Sequence, residues 1–515
     1  MLLVHPSKII EIDKYADEVL GITKQALMQR AGKAVADSIR SYVVKGSAVS
    51  IFAGKGNNGG DGYAAALELN SEYAVTVYDV FGSGQKSDEG KYFLKEFATR
   101  GGRIQALRFD AEQLQNISQS DCVVDAVFGT GFSGELPLIA HRLAEIFSGL
   151  TDAVKIAVDV PLGVDAENGR VITSCTYTAT ATVVLGFVKS GLVSYPAREY
   201  VGKLVYDSIG LNNPDVINEF SFDGHFVDRE AAADLVPKRP QNSNKGSFGK
   251  VLLVTGSRAY PGAAHLSLEA ALRSGVGYVT FLGESELCDS LLLKFPEAIY
   301  RKASISDITE SELVEVLELT QKQNAVLIGS GSSRSRGLTA LLERLLAEPG
   351  APLILDADAL NVLSEKEGRG LELIRKSPRF VILTPHPLEL ARISGASVDE
   401  IQSNRLAFAK SFAQENNCLL VMKGAGTVIT DGNAVYINSS GSSALAKAGS
   451  GDVLAGHIAG LVASGSDPVR AAALAVYLHG RAADNLSVEL SQLGVTPSDL
   501  PREIARCLSK IINKS

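Results

Sequence analysis

Short apolar runs rich in β-branched residues alternate with segments of helical spacing along most of the chain. Strand alternating with helix predicts parallel sheets covered on both faces. Several of the runs end in Gly, Asp, His or Lys, and ligands of such sheets lie beyond the carboxyl ends of the strands. The sequence therefore predicts an α/β protein whose chemistry lies at those ends. The runs are 48–54, 73–81, 121–129 and 154–161 in the first half, and 250–257, 277–283, 324–331, 352–360, 380–387 and 418–426 in the second.

The chain of 515 residues is too long for one ordinary core, and its length predicts two domains, with three as the alternative. The segment 211–249 has turn residues, two prolines near its end and little apolar periodicity, so we expect one domain at 1–218 and the other at 219–515. Hydrophobic residues make up 45% of the chain and charged residues 21%, a composition typical of globular proteins.

Charge and cysteine content restrict the partners and the compartment. A net charge of -8 without a run of five Lys or Arg argues against a nucleic-acid or anionic-membrane surface. Five widely spaced cysteines favour a reducing compartment, and the first residues lack the apolar core of a signal peptide. We therefore expect a cytoplasmic protein acting on small molecules, without nucleic-acid or membrane partners and assembled as a homo-oligomer.

The stretch GKGNNGGDG, residues 54–62, lies between an apolar run and the helix-like YAAALELN. A strand, a glycine-rich turn and a helix N-terminus bring backbone N–H groups and the positive end of a helix dipole together, which suits a phosphate. The alternative is a glycine-rich turn without a ligand. The pattern matches neither GxGxxG nor GxxxxGK[ST], so the usual dinucleotide and P-loop motifs do not apply.

Two carboxylates, Asp125 and Asp159, come at or near the ends of apolar runs in the first half. A buried carboxylate requires a cation, a proton or hydrogen-bond donors. Each aspartate taken alone fits a turn cap better than a site, but three polar loops at one sheet edge favour a site. Lys189 could contact a phosphate or a carboxylate, although a solvated surface position is the more common one for lysine.

The motifs GNNGGDG, DAVFGTGFSG, DVPLGVD and TATVVLGFVKSGL together resemble the NAD(P)H-hydrate epimerases, over most of residues 10–210. The resemblance implies a Rossmann-like α/β/α sandwich that binds the hydrated dinucleotide and a potassium ion. It implies Asp159 as a catalytic residue facing the hydrated ring, and potassium ligands at Asn58, Asp125 and Leu162. Leu162 replaces the family's usual serine: if the family's ligand is the serine hydroxyl, that ligand is missing here, and if it is the backbone carbonyl, Leu162 can supply it. The implied substrate-binding residues are Asn57, Asn58, Gly59, Gly60, Asp61, Gly129, Thr130, Gly131, Phe132, Ser133, Gly134, Glu135 and Asp159.

The segment ALAKAGSGDVLAGHIAGLVASG, residues 444–465, is the most specific motif of the second half. Its Gly-Ser-Gly turn places Asp452 in the first turn of a long apolar helix. Backbone N–H groups there form an anion hole, and the aspartate can accept a proton from a hydroxyl that attacks a phosphoryl group. The alternative is an aspartate that caps the helix. Further polar loops at KGAGT (423–427), TPHP with His386, and GSGSS (329–333) favour a site.

These motifs, with LDADALN and GVTPSDL, resemble the NAD(P)H-hydrate dehydratases of the ribokinase-like superfamily, over residues 236–510. The resemblance implies a ribokinase-like α/β domain with Asp452 as the catalytic base, ADP as co-substrate and Mg2+ beside the nucleotide. Ala263 or Ala264, Gly331, His386 and Asp452 would contact the hydrated dinucleotide. The implied nucleotide-binding residues are Lys423, Gly424, Ala425, Gly426, Thr427 and Gly451.

Taken together, the two halves predict a bifunctional enzyme that repairs hydrated NADH and NADPH. The first half would epimerise the R and S hydrates, and the second would dehydrate the S form at the expense of ADP. An ATP-dependent vitamin or sugar kinase is the alternative, because GSGD and KGAGT alone fit it equally well. The epimerase-like first half separates the two, since a kinase does not require it. A pair of ligand-binding regulatory domains is a weaker third interpretation.

Overall fold

The structure, a computed structural model of the chain, describes residues 1–82, 86–132, 135–365 and 368–513. The chain forms two compact units, Met1–Gly224 and His225–Ser515. Both units are built from mainly parallel sheets and helices, which confirms the α/β fold class. The segment 211–249 is not a bare linker, because it contains two short helices and a strand. No helix within the described ranges has the length and apolar content needed to cross a membrane.

The first unit begins with a short strand and two helices and then alternates strands with helices. Its elements are β1 (Leu2–Val4), α1 (Pro6–Glu18), α2 (Lys24–Arg40), β2 (Ala48–Ala53), α3 (Asn57–Leu69), β3 (Ala74–Asp79), α4 (Asp88–Thr99), β4 (Arg103–Ala106), α5 (Ala111–Ser118), β5 (Cys122–Ala126), α6 (Leu138–Gly149), β6 (Val154–Val158), β7 (Ala181–Leu185), β8 (Val188–Lys189), β9 (Lys203–Asp207) and α7 (Pro214–Glu219).

The seven-stranded sheet of this unit has the order β4-β3-β2-β5-β6-β7-β9, and all its neighbours are parallel. One apolar cluster joins this sheet to α2, α3 and α4, and a second joins its other face to α6. The strand order changes direction between β2 and β5, and the crevice at such a point is the usual ligand site of an open parallel sheet. The N-terminus of α3 and the turn after Asp125 lie at that point.

Helix α3 begins at Asn57, so the prediction of a loop through residue 62 is wrong. Only the turn at 54–56 separates β2 from the helix. Close packing explains the glycines that follow. A Cβ on Gly59 would lie 2.1 Å from the Gly54 carbonyl oxygen, and one on Gly60 would lie 2.5 Å from the Met28 side chain of α2. Two of the glycines therefore serve helix packing, and the polar side chains among them face the site.

The second unit, counted with Gly224, repeats the alternation on a larger scale. Its elements are β10 (Gly224–Val227), α8 (Arg229–Leu235), β11 (Lys250–Val254), α9 (Pro261–Leu272), β12 (Tyr278–Gly283), α10 (Ser285–Leu292), β13 (Ile299–Lys302), α11 (Glu310–Thr320), β14 (Ala325–Ile328), α12 (Arg336–Ala347), β15 (Leu353–Leu355), α13 (Asp358–Ser364), α14 (Arg369–Lys376), β16 (Val381–Leu383), α15 (Pro387–Ser394), α16 (Val398–Ser403), α17 (Arg405–Asn416), β17 (Leu419–Met422), β18 (Val428–Thr430), β19 (Val435–Asn438), α18 (Ser450–Ala463), α19 (Pro468–Gly494) and α20 (Leu500–Ile512).

Its strands follow the order β13-β12-β11-β14-β15-β16-β17-β18-β19-β10. They are parallel except for β18, which is antiparallel to both neighbours. Helices α9, α18 and α19 form the largest apolar cluster with this sheet. The apolar run 352–360 is a strand only to Leu355, and helix α13 begins at Asp358. Beyond β14, β16 and β17 lie Gly331, His386 and Lys423, so three predicted loops meet at one sheet edge. Asp356 follows β15, which lies between β14 and β16.

Candidate functional sites

A cavity of about 830 Å3 opens in the first unit. It is bounded by α1, α2, the N-terminus of α3, the turn after β5 and the ends of β6 and β7. Its volume is that of a site for a large organic ligand. Eight predicted site residues line it: Asn57, Asn58, Asp61, Gly129, Thr130, Gly131, Phe132 and Asp159.

Gly59, Gly60 and Glu135 are not among the residues that line the cavity. Gly59 and Gly60 are buried in helix packing, and Glu135 is exposed. Ser133 and Gly134 lie outside the described residues.

Asp159 and Lys189 form a buried ion pair in the cavity wall. The Lys189 ammonium donates to Asp159 Oδ1 and, at 2.9 Å, to the Leu185 carbonyl. The Lys189 side chain is only 1% exposed, so the expectation of a solvated surface lysine is wrong. Asp159 itself has φ +65, and a non-glycine residue held there stores about 1–3 kcal/mol of strain. The strained backbone directs a carboxylate that is already paired with a cation into the cavity.

Two more carboxylates, Asp13 and Asp61, line the same cavity. Burial raises the pKa of Asp13 to about 6, Lys189 opposes that rise and Asp159 adds to it. Burial also raises the pKa of Asp61 well above its ordinary value, with Asp159 and Asp13 acting in the same direction. Neighbouring carboxylates therefore oppose the ionisation of both Asp13 and Asp61 in this cavity.

The predicted potassium ligands lie around the turn that follows β5. Asp125 accepts hydrogen bonds from the Leu162 N–H at 2.7 Å, the Val127 N–H at 3.2 Å and the Tyr177 hydroxyl at 3.0 Å. Burial raises its pKa to about 6 although these donors oppose the rise. Asp125 therefore caps the turn that follows β5 through the Val127 N–H, as the alternative predicted, and also accepts hydrogen bonds from Leu162 and Tyr177.

Asn58 fits a cation site, whereas the side chain of Leu162 does not. Asn58 donates through Nδ2 to the Phe128 carbonyl at 2.8 Å, but its buried Oδ1 has no hydrogen-bond partner. An unpaired buried carbonyl oxygen is costly in free energy, and a metal ion would satisfy it. Leu162 is buried and apolar and directs its N–H to Asp125, so only its carbonyl is left to act as a ligand.

In the second unit, Asp452 lies in the first turn of α18, as predicted from the AGSGD motif. Gly449, with φ +101, occupies the N-cap position, so the alternative that Asp452 caps the helix is wrong. Burial raises the pKa of Asp452 to about 7, and Asp356 adds to the rise, Lys423 opposes it and Asp358 adds again. A carboxylate with this pKa, beside free N–H groups at a helix start, is suited to act as a general base at neutral pH.

The KGAGT loop begins with a lysine that is already paired. Lys423 Nζ lies 3.0 Å from Asp356 Oδ1 and 3.8 Å from Glu389 Oε2. Thr427 Oγ1 closes the loop by donating to the Gly424 carbonyl at 2.9 Å, and Gly424 has φ +132. The loop is thus a tight turn with an anchored ammonium at its base. Its role in nucleotide binding stays a prediction.

His386 caps helix α15 and is also exposed. Its Nδ1 accepts from the backbone N–H groups of Leu388 and Glu389, both at 3.2 Å. Its Nε2 lies 3.5 Å from Glu389 Oε1, and the side chain is 46% exposed. The imidazole therefore has a structural hydrogen bond and still presents one edge to solvent.

Gly331 and Ala263 lie in contact at the start of α9. A Cβ on Gly331, where φ is +64, would lie 2.5 Å from the Ala263 Cβ. Ala264 is fully buried and faces Gly256, whereas Ala263 is 7% exposed. Of the two alanine alternatives, Ala263 is the more accessible to a ligand.

Comparison with known proteins bears on both units. The family described as YjeF-related protein N-terminus matches residues 24–191, and the family described as NAD(P)H-hydrate dehydratase matches residues 251–506. The bifunctional NAD(P)H-hydrate repair enzyme Nnr of Moorella thermoacetica is 34% identical over 512 residues, which are 97% of this chain and 95% of that protein. The chain belongs to the bifunctional NAD(P)H-hydrate repair enzymes. This confirms the predicted family and the pairing of an epimerase with a dehydratase.

Two further proteins resemble this repair enzyme. The repair enzyme Nnr of Thermofilum pendens is 32% identical over 518 residues, 99% of this chain and 96% of that protein. A solved ribokinase-like superfamily protein of Enterococcus faecalis is 26% identical, covers 57% of this chain and 98% of its own, and has a TM-score of 0.50. The second of these agrees with the ribokinase-like fold predicted for the second unit.

Sequence reasoning missed three charged residues of the repair enzyme's sites: Asp13, Asp356 and Glu389. Asp356 follows an apolar strand and could have been found by the rule that singled out Asp125. Glu389 is hidden as an ordinary first-turn acid of α15. Asp13 lies on α1, and only the folded structure shows that it faces the cavity.

Proposed function

We propose that the first unit interconverts the R and S hydrates of NADH and NADPH and that the second dehydrates the S form with ADP, giving NAD(P)H, AMP and phosphate. The observation that carries the proposal is Asp452, a carboxylate with a pKa near 7 at a helix N-terminus beside an anchored lysine. A reaction that must deprotonate a hydroxyl and stabilise a transferring phosphoryl group needs this combination.

Phosphoryl transfer accounts for a dehydratase in a kinase-like fold, because water is a poor leaving group and phosphate a good one. In the proposed reaction Asp452 removes the proton from the hydroxyl on the hydrated ring carbon. The hydroxyl oxygen attacks the terminal phosphorus of ADP, and AMP leaves. The carbon–oxygen bond then breaks to release phosphate, a proton leaves the neighbouring carbon, and the ring double bond re-forms.

For the epimerase, the cavity of the first unit supplies paired acid and base groups. Asp159 is paired with Lys189, while Asp13 and Asp61 have raised pKa values in the same cavity. Inversion at the hydroxylated carbon needs a group that takes a proton and one that gives a proton, and these residues provide both. Asp159 is the residue we assign to the hydrated ring.

Potassium and magnesium have different support. We assign potassium to the Asn58 Oδ1 and Asp125 carboxylate, because the first is an unpartnered buried oxygen and the second a buried anion. Potassium would hold the turn after β5 against α3. Mg2+ is assigned to the nucleotide, since no group of three His, Cys, Asp or Glu in the described part of the chain could hold a metal ion and Mg2+ is commonly held by substrate phosphates.

Thermal unfolding of the full chain in potassium chloride and in sodium chloride tests the potassium assignment. We expect potassium to raise the unfolding temperature of the wild type selectively, and the Asn58→Leu variant to lose that difference. Equal unfolding temperatures of the wild type in the two salts would remove potassium from the account.

The setting of the reaction is a further part of the proposal. The cytoplasm suits the five buried, unpaired cysteines and the cofactors that the enzyme would repair. We also propose a homo-oligomer. Light scattering on the purified full chain gives its mass directly, and a monomer across the micromolar range would contradict that part.

The test of the function uses hydrated NADH, supplied as both epimers, with ADP or ATP. We expect absorbance of the reduced nicotinamide to recover with ADP, and the Asp452→Asn variant to lose this activity. Asp484→Asn is the matched control, because Asp484 is a partly buried aspartate of α19 that accepts from the Gly441 N–H and lies outside the site. Wild-type protein that restores no absorbance with either nucleotide would contradict the dehydratase, and phosphorylation of a vitamin or sugar by ATP would favour the kinase instead.

A further inference from the structure

A buried charge cluster lies behind the predicted catalytic base of the second unit. Its centre is Asp356, which is 2% exposed and immediately follows β15. Asp356 Oδ2 accepts from the Ser330 hydroxyl at 2.8 Å, while Oδ1 accepts from the Thr384 hydroxyl at 2.7 Å and from Lys423 Nζ at 3.0 Å. Three donors from the ends of β14, β16 and β17 thus hold one carboxylate in place.

The backbone at this position is also constrained. Ala357 has φ +47 and ψ -109, a backbone conformation that residues other than glycine rarely adopt. On its other side, Asp358 accepts from the Ser333 N–H at 2.9 Å. Strain of this kind persists only where the surroundings enforce it, and it concentrates at functional sites.

The ammonium held by Asp356 reaches the helix that carries Asp452. A Cβ placed on Gly451 would lie 3.4 Å from Lys423 Nζ, so the ammonium lies close to the first turn of α18. Burial alone disfavours the charged form of Lys423, but Asp356 and Glu389 outweigh burial, and the pKa of Lys423 is raised. Lys423 is therefore a fixed positive charge beside the anion hole.

We propose that Asp356 is a positioning residue of the dehydratase centre, holding the Lys423 ammonium beside the anion hole and away from the Asp452 carboxylate. The proposal rests on the proposed dehydratase function of that site. If Lys423 paired directly with Asp452, the ammonium could not stabilise the phosphoryl group and the carboxylate could not act as a base. Lys423 stays available to the charge that develops on the transferred phosphoryl group, and Asp452 stays unpaired as the base.

The charged groups around Asp452 come from several elements. Asp356 precedes α13 and Asp358 is its first residue. Lys423 follows β17, Glu389 on α15 raises the pKa of Lys423, and Lys423 in turn lowers the pKa of His386. His457 on α18 and His479 on α19 are buried, and burial lowers the pKa of each to about 4, so both are neutral when Asp452 titrates.

Opposite shifts in two variants test the proposal. Asp356→Asn removes a neighbouring negative charge and frees the ammonium to approach Asp452, so we expect the pKa of Asp452 to fall by about one unit or more. Lys423→Met removes the opposing positive charge, so we expect the same pKa to rise. Carbon NMR of carboxyl-labelled aspartates in the full chain measures both, with the Asp452 signal assigned by its loss in Asp452→Asn.

Kinetics of the same variants supply a second measurement. We expect kcat of the dehydratase to fall by about tenfold or more in Asp356→Asn, with a smaller change in KM for ADP, and the acidic limb of the pH profile to move to lower pH. Asp484→Asn is the matched control for removing a carboxylate from the same unit, and it should leave the Asp452 signal unchanged.

Shifts of the same sign in the two variants, or no shift in either, would overturn the proposal. Circular dichroism checks that each variant folds. If Asp356→Asn does not fold, an unchanged pKa of Asp452 in Lys423→Met is by itself enough to overturn the proposal. The NMR titration needs no substrate, so its failure is distinct from failure of the dehydratase assignment. If the wild type repairs the hydrate but the pKa of Asp452 is the same in the wild type and in both variants, only the proposed role of Asp356 is refuted.

Discussion

At the scale of single residues, the buried ion pair of Asp159 and Lys189 was predictable from the sequence at one member only. Asp159 was predictable as a site residue, because a carboxylate at the end of a buried strand must be stabilised by a cation, a proton or hydrogen-bond donors. Lys189 was not, since a lysine in VKSG has no local feature that marks it as 1% exposed. Its burial depends on the contacts of Lys189 with Asp159, which follows β6, and with Leu185, which ends β7, and these contacts form only in the folded protein.

Removing one member of this pair should cost more stability than removing both. Lys189→Met leaves a buried carboxylate without its cation, and we expect about 3–5 kcal/mol of destabilisation of the first unit. The double variant Lys189→Met with Asp159→Asn leaves no charge behind and should be closer to the wild type. Denaturant unfolding of the three full chains measures this, and equal losses in the single and double variants would show that the pair is not coupled.

The dehydratase should lose activity below neutral pH because its base becomes protonated. The pKa of Asp452 is raised to about 7, so the active carboxylate form is present above that pH and is lost as the pH falls through it. We expect kcat/KM to rise by about tenfold per pH unit below 7 and to level off above it. A profile that is flat between pH 5.5 and 8.5 would remove Asp452 from the role of base.

At the scale of elements, the start of α3 shows both the strength and the limit of pattern reading. Periodicity predicted the strand β2 and a following helix, and both are present. The helix starts at Asn57 because two glycines let it pack closely against the end of β2 and against α2. These contacts join distant parts of the chain, so local turn preferences could not predict them. The same limit explains why run 352–360 ends as a strand at Leu355: continuous apolar runs do not distinguish a buried strand from a buried helix.

Gly59→Ala tests the packing explanation for the glycine-rich stretch. The new Cβ would lie 2.1 Å from the Gly54 carbonyl oxygen, so we expect a loss of about 1–3 kcal/mol and a lower unfolding temperature of the first unit. Gly149→Ala is the matched control, because it ends α6 with nothing within 4 Å of the added Cβ. Equal unfolding temperatures for both variants and the wild type would show that the site tolerates a side chain.

At the scale of the whole molecule, the sequence was most informative where several motifs agreed. A single GSGD or KGAGT turn fits a kinase as well as a dehydratase, whereas an epimerase-like half joined to a dehydratase-like half fits one repair enzyme. The sheet edges bring the predicted residues of each unit together because parallel strands end on the same side. The unpaired Asn58 Oδ1 and the anchoring of Lys423 depend on side-chain contacts, which no sequence motif contains.

Two roles in one chain predict that the activities can be separated and then recombined. The measurement is absorbance of the reduced nicotinamide in a mixture of both NADH hydrates with ADP. We expect the wild type to restore all of the NADH, Asp159→Asn to stall near half, Asp452→Asn to restore none, and an equal mixture of the two variants to run to completion as one supplies the epimer that the other consumes. Complete conversion by Asp159→Asn alone, where spontaneous epimerisation is slow, or any sustained conversion by Asp452→Asn, would contradict the account.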